Sequence, residues 1–276
     1  MSDASYKDIV NALNEEFSTS VNRIYVHSLD REVSFKEVRV SEQKALTKIL
    51  IENEDKEDVI YQSIMALIQM LCLEKDTVDF SKLTELDRIK IMLELYQGNF
   101  FNEELTFTCS KCGTENTFKI DFDHIVTELN KMKFDDVEVI LEDDSRTFIF
   151  MLNFPKTSRM LEFMTEIANS KRAINKKDSE KITNIDMFDM FIKSFIIEGK
   201  AEDGKIINVN CEETAVTETE KILEVLPQTI LYGKDGILEA ISSKIFSKVE
   251  QLFVDPVCLE CGTQQKGVVS LADFFI

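Results

Sequence analysis

Four of the six cysteines fall in two matching stretches, Cys109-Ser110-Lys111-Cys112-Gly113-Thr114 and Cys258-Leu259-Glu260-Cys261-Gly262-Thr263. Both read Cys-x-x-Cys-Gly-Thr. Two intervening residues let both thiolates face one cation while backbone amides turn toward sulfur, and the following glycine accepts the left-handed geometry that such a turn needs. Each stretch is a metal knuckle supplying two ligands. The economical solution is one tetrahedral site of Cys109, Cys112, Cys258 and Cys261, which clamps residue 109 to residue 261 across most of the chain. The spacing points to structural zinc. Iron fits the same four sulfurs, although closed sulfur-only sites without a redox partner are most often zinc.

Other uses of these thiols fit less well. A thioredoxin-type dithiol stands at a helix start just after a strand, whereas residues 114–120 are another β-prone run. Disulfides are disfavoured because the chain shows no signal peptide, is rich in Lys and Glu, and carries two further lone cysteines, which together read as intracellular.

A chain of 276 residues with 44% hydrophobic content can bury one large core or two modest ones. No apolar run reaches the roughly 20 residues that span a bilayer, so a soluble globular protein is expected. The formal charge of −19, from 51 acidic against 32 basic residues, opposes the phosphate neutralisation on which nucleic-acid affinity mostly rests. Three prolines, eight glycines and no low-complexity tract argue against long disordered linkers.

The elements that must carry the knuckles follow from periodicity and punctuation. Residues 2–17 read as a short amphipathic helix. Two strands, 24–26 and 33–35, flank a tight polar turn. Ser41 is placed to cap a helix running to about residue 51, and an acidic loop follows. Residues 59–73 are apolar on nearly all sides and predict a buried helix with Cys72 packed in it. Thr84 and Asp87 form a capping pair before a helix at 89–96, which Gly98 stops. Strand, knuckle and strand occupy 104–120, and Asp121 caps a helix at 122–132. A second hairpin is predicted at 137–141 and 147–152. A helix at 158–174, a charged connection at 171–181, an apolar helix at 187–197 and a short strand at 205–209 come next. Helices near 217–226 and 236–253 lead to the second knuckle. The terminal residues 271–276 are almost wholly apolar, so Phe274 and Phe275 are expected to seal the ribbon or enter a partner's groove.

This order contains an internal repeat. A shift of 115 residues places Arg31 on Arg146, Val33 on Phe148, Phe35 on Phe150, Lys44 on Arg159 and Leu46 on Leu161. The knuckles repeat at an offset of 149, so the second copy carries 34 extra residues, which fall between Lys171 and Val209. The expected fold is α+β: two related lobes of hairpin plus helices, residues 1–131 and 132–276, each ending in half of a four-cysteine zinc ribbon.

Chemistry beyond the metal is thin. His27, in a turn, and His124, on a helix, are too separated for an evident catalytic centre, and His124 is superfluous as a ligand beside four cysteines. No phosphate loop, nucleophile elbow or His-Glu-x-x-His motif is present. Asp143 and Asp144 lie where a hairpin turn favours Asp for its own backbone bonding. Lys111 and Lys119 near the first knuckle could meet phosphate, but the second knuckle offers Glu260 in the corresponding place.

The stretch from Ile24 to Glu37, Ile-Tyr-Val-His-Ser-Leu-Asp-Arg-Glu-Val-Ser-Phe-Lys-Glu, with Ser41-Glu42-Gln43-Lys44-Ala45-Leu46 after it, resembles the start of the baseplate hub subunits and hub-assembly proteins of T-even-type contractile-tailed bacteriophages. The helical middle, the Cys-x-x-Cys elements and the terminal Phe-Phe fit the same pattern. The resemblance implies a non-enzymatic virion or assembly protein, made in the bacterial cytoplasm and placed at the tail baseplate. Its partners would be other hub or tail proteins, or further copies of the chain. A zinc-ribbon adaptor in phage or bacterial transcription or replication is the alternative, and a basic face on the ribbon would favour it.

Overall fold

Short amphipathic segments build this chain around one buried helix. The computed structural model describes residues 21–53, 56–96, 104–132, 135–173, 188–200, 204–250, 252 and 255–265. The helix expected at 2–17, the stop at Gly98 and the terminal residues 271–276 lie outside them. The fold is α+β, and no helix among the described residues is long and apolar enough to cross a membrane.

Strands β1 (Val21–Val26) and β2 (Arg31–Lys36) pair antiparallel with Ile24 opposite Val33, and both side chains are buried. The single turn of 3-10 helix between them, His27–Leu29, ends at Asp30 in the left-handed region, φ 50°. Helix α1 (Val40–Glu52) starts one residue before Ser41, with Arg39 at its N-cap. Glu42 explains the shift, because its carboxylate accepts from the Arg39 amide at 2.9 Å and so satisfies a donor ahead of the expected cap. Helix α2 (Glu57–Leu71) follows, and the chain leaving it adds to β2 through the Phe35–Cys72 bridge and the bond from Leu73 N to Ser34 O.

Helix α3 (Glu85–Tyr96) carries the capping pair read from the sequence: Thr84 N donates to Asp87 Oδ2 at 3.1 Å and Asp87 N to Thr84 Oγ1 at 3.3 Å. This helix is apolar on two faces. Leu86, Ile89 and Leu93 belong to one core, while Ile91, Met92 and Leu95 belong to another. The charged residues between them are buried with partners. Arg88 pairs with Glu85 and lies over the Tyr61 ring, and Lys90 Nζ donates to Tyr25 O at 2.5 Å. Burial lowers the Lys90 ammonium from its ordinary value, against the opposing pull of Glu94 and Asp87.

Strands β3 (Glu104–Thr108) and β4 (Glu115–Lys119) form the hairpin of the first knuckle, and α4 (Phe122–Lys131) follows with Asp121 accepting from His124 N. Strands β5 (Val137–Glu142) and β6 (Arg146–Leu152) make the second long hairpin. Helix α5 (Thr157–Ala173) is anchored where Thr157 N donates to Leu83 O and Glu85 N to Pro155 O.

From Ile192 on, the segment expected to be an apolar helix at 187–197 is instead strand β7 (Ile192–Gly199), preceded by helical residues Phe188 and Asp189. Its spacing of Phe191, Ile192 and Phe195 imitates a helical face. Pairing decides otherwise: β7 lies between β6 and β8 (Ile206–Asn210) in an antiparallel four-stranded sheet of order β5-β6-β7-β8. Its registers align Val139, Phe150, Phe195 and Val209 in one row and Leu141, Phe148, Ile197 and Ile207 in the next. Phe148, Phe150 and Phe195 are fully buried, and burying an aromatic side chain of this kind contributes about 3 kcal/mol.

Helices α6 (Val216–Glu224), α7 (Gln228–Tyr232) and α8 (Ile237–Ile241) cover the sheet, and α8 passes through a π turn, Ser242–Phe246, into α9 (Ser247–Glu250). The sheet core takes Leu223, Ile237, Ile241 and Leu252 from this region and also Phe122, Ile125 and Leu129 from α4. The hairpin core of β1, β2, α1 and α2 in turn receives Met160, Leu161 and Met164 from α5. Both cores therefore draw on segments from either side of residue 131. The two knuckles hang from one core, through Phe122 and Leu252.

Candidate metal centre

In the first knuckle, Cys109 N donates to Thr114 O and Gly113 N to Cys109 O, both at 2.9 Å. In the second, Cys258 N donates to Thr263 O at 3.0 Å and Gly262 N to Cys258 O at 2.9 Å. Gly113 and Gly262 have φ of 73° and 67°, and nothing lies within 4 Å of where a Cβ would stand. The left-handed backbone, not space, is what requires glycine at both turns.

The structure brings Cys109, Cys112, Cys258 and Cys261 together, with all four sulfurs within 4.8 Å of one another. Cys109 Sγ lies 3.6 Å from Cys261 Sγ, and Cys112 Sγ 3.6 Å from Cys258 Sγ. A disulfide would need about 2.05 Å, whereas a tetrahedron with metal–sulfur bonds of about 2.3 Å has edges of about 3.8 Å. The donor set therefore fits one divalent ion. Cys109 and Cys258 are buried, Cys112 is exposed and Cys261 is half-buried, so the site has an inner and an outer edge.

The surroundings favour anionic sulfur at Cys258 and Cys261. The amides of Cys261 and Glu260, turned onto its sulfur, pull the Cys258 thiol down to about 6. The Thr263 hydroxyl and amide lower Cys261 in the same way. At Cys109 the amides of Cys112 and Lys111 act in that direction too, against burial and the neighbouring Cys112 and Cys261 thiols, and the thiol stays up at about 11.

Two residues that the spacing argument passed over complete the centre. Asn116 Nδ2 lies 3.5 Å from Cys258 Sγ while its Oδ1 accepts from Leu259 N at 2.9 Å. Gln265 Nε2 lies 3.5 Å from Cys109 Sγ while its Oε1 accepts from Ser110 N at 2.9 Å. Both side chains are buried. The signal was present in the sequence: at the offset of 149 that superposes the knuckles, Asn116 falls on Gln265. The outer sulfurs are served within their own knuckle, Cys112 Sγ lying 3.3 Å from Thr114 Oγ1 and Cys261 Sγ 3.2 Å from Thr263 Oγ1.

The remaining candidates stand elsewhere. His124 opens α4 and is not among the groups gathered at the sulfurs. His27 packs edge-on against Tyr25, and burial lowers its imidazole. Asp143 accepts from Ser145 N and Arg146 N, both at 2.7 Å, so it shapes the β5–β6 turn, and Asp144 is exposed beside it. Lys111 and Glu260 are exposed at equivalent places on the two knuckles. Cys72 and Cys211 are core residues, and burial pushes the Cys211 thiol up to about 12.

Comparison with protein-family models, with curated proteins and with solved structures gives no match for this chain.

Proposed function

We propose that the four sulfurs hold one structural zinc ion, closing a ribbon from two half-ribbons, and that the chain is a non-enzymatic structural or assembly component of a phage tail baseplate hub. The convergence of Cys109, Cys112, Cys258 and Cys261 is the observation that carries the metal part of this reading. Zinc suits an all-sulfur set without a redox partner. Four sulfurs leave no open coordination position for a substrate, which favours a staple over a catalytic metal. In this reading residues 1–131 and 132–276 are related lobes joined at the ribbon. Support comes from the hairpin-then-helix order of β1, β2, α1 and of β5, β6, α5.

The hub assignment rests on the resemblance carried by the stretch from Ile24 to Leu46, and the acidic composition agrees with partners that are proteins rather than nucleic acid. The chain would be made in the bacterial cytoplasm and work in the tail baseplate with other hub proteins. The test is to express the tagged chain in infected host cells and identify what co-purifies. Tail or baseplate proteins are expected. Recovery with a transcription or replication complex would overturn the hub reading in favour of a zinc-ribbon adaptor.

A further inference from the structure

The four sulfurs differ in where their side-chain donors come from. Cys112 and Cys261 each meet a threonine hydroxyl two residues on in their own knuckle. The two buried sulfurs instead face a carboxamide from the opposite knuckle: Asn116 faces Cys258, and Gln265 faces Cys109. Each carboxamide is held for this task at both ends. Its oxygen accepts from the backbone amide of the residue after the cysteine it faces, and its nitrogen also donates to a carbonyl of its own knuckle, Thr114 O at 2.8 Å or Thr263 O at 3.3 Å. A structural clamp between two turns needs only the oxygen contact. Turning an N–H onto a buried sulfur as well is worth about twice as much when that sulfur is an anion.

We infer that Asn116 and Gln265 are positioning residues of the metal centre, each donating an N–H from one knuckle to the buried thiolate of the other, so that the two half-sites bind a single metal ion jointly. The inference rests on the proposed four-sulfur metal site. Four thiolates around a divalent cation leave two net negative charges in a chain that already carries −19, and the crossed amides disperse that charge where water does not reach. Since each buried thiolate is completed only by the other knuckle, neither half-site is competent alone. Outer hydrogen bonds of this kind change metal affinity by about 10–100-fold.

The full-length chain is loaded with Zn(II) and, separately, Co(II), and compared with Asn116→Asp and Gln265→Glu. These substitutions keep the oxygen that accepts from Leu259 N or Ser110 N and remove the N–H that faces sulfur. Each variant is expected to bind one metal about 10–100-fold more weakly in chelator competition. The thiolate-to-Co(II) charge-transfer band should move to lower energy, because sulfur loses a donor. Asn116→Gln, which retains the carboxamide used by the other knuckle, should restore both readouts toward the wild-type values. Wild-type affinity and an unmoved band in both carboxylate variants would overturn the inference while leaving the metal site standing. A wild-type chain that binds neither metal would overturn the site and the inference together. Should a carboxylate variant fail to fold, exchanging the two amides (Asn116→Gln with Gln265→Asn) decides: near-wild-type affinity and band position support the inference, and loss of both overturns it.

Discussion

Cys109 and Cys261 stand 152 positions apart in the chain and 3.6 Å apart at their sulfurs. The matching contact between Cys112 and Cys258 is also 3.6 Å. Each knuckle therefore interleaves its two sulfurs with those of the other, and removing any one thiolate opens the whole cage.

One zinc per chain is expected in the purified protein, and its loss should unfold the ribbon, since a structural four-thiolate site contributes on the order of 10 kcal/mol. Cys109→Ser and Cys258→Ser should each abolish tight binding, not halve it. Metal analysis giving well under one zinc per chain would count against the centre, and independent half-occupancy in the two variants would count against a shared site.

Asp87 accepts from three donors: His27 N at 2.9 Å, Thr84 N at 3.1 Å and Thr84 Oγ1 at 2.7 Å. It caps α3 and ties that helix to the β1–β2 turn at once. Asp87→Ala removes a cap and takes the acceptor from two part-buried amides, so a loss of about 2–4 kcal/mol in denaturant unfolding is expected. A loss under about 0.5 kcal/mol, the usual size for a surface change, would show that the tie is dispensable.

The Ser34 hydroxyl and amide, and then Arg31, hold the Glu74 carboxyl below its ordinary value. A carboxyl depressed by folding adds stability that is present above its unfolded pKa and disappears as pH falls through the folded value. Stability should therefore drop as the solution is acidified below about pH 4.5. Glu74→Gln should flatten that part of the profile and cost about 1 kcal/mol at pH 7. The same slope in both proteins would place the acid sensitivity elsewhere.

The chain should not be retained on DNA at about 0.15 M salt, because −19 formal charges oppose the counterion release that drives such binding. Sequence-independent retention at that ionic strength would contradict this and bring the adaptor reading forward.

Local chemistry was the legible part of the sequence. The knuckles, the Thr84–Asp87 box, the Asp121 cap and both long hairpins each depend on residues within a few positions of one another, which spacing exposes. Strand β7 is hard to read because Phe191, Ile192 and Phe195 also fit a helical face, and one of the two partners that decide it, β6, comes from a distant part of the chain. The exchange of helices between the cores was hidden for the same reason. Nothing local to Met160, Leu161 and Met164 says that they pack on the hairpin core rather than on their own sheet. Asn116 and Gln265 are an intermediate case, since the register of the repeat aligns them but only the folded knuckles show which sulfur each one faces.

Closing the cage from both ends also sets an order of events during synthesis. Cys112 leaves the ribosome 146 residues ahead of Cys258, an interval of about 7–30 s at elongation rates of about 5–20 residues per second. Throughout it the nascent chain holds two thiols of a half-built cage, and until β8 is made at Asn210 α4 also lacks the full sheet it will pack on. The first knuckle is thus a newborn-chain liability, open to oxidation or to pairing with the knuckle of a neighbour on the same message, until Cys258 and Cys261 arrive to claim it.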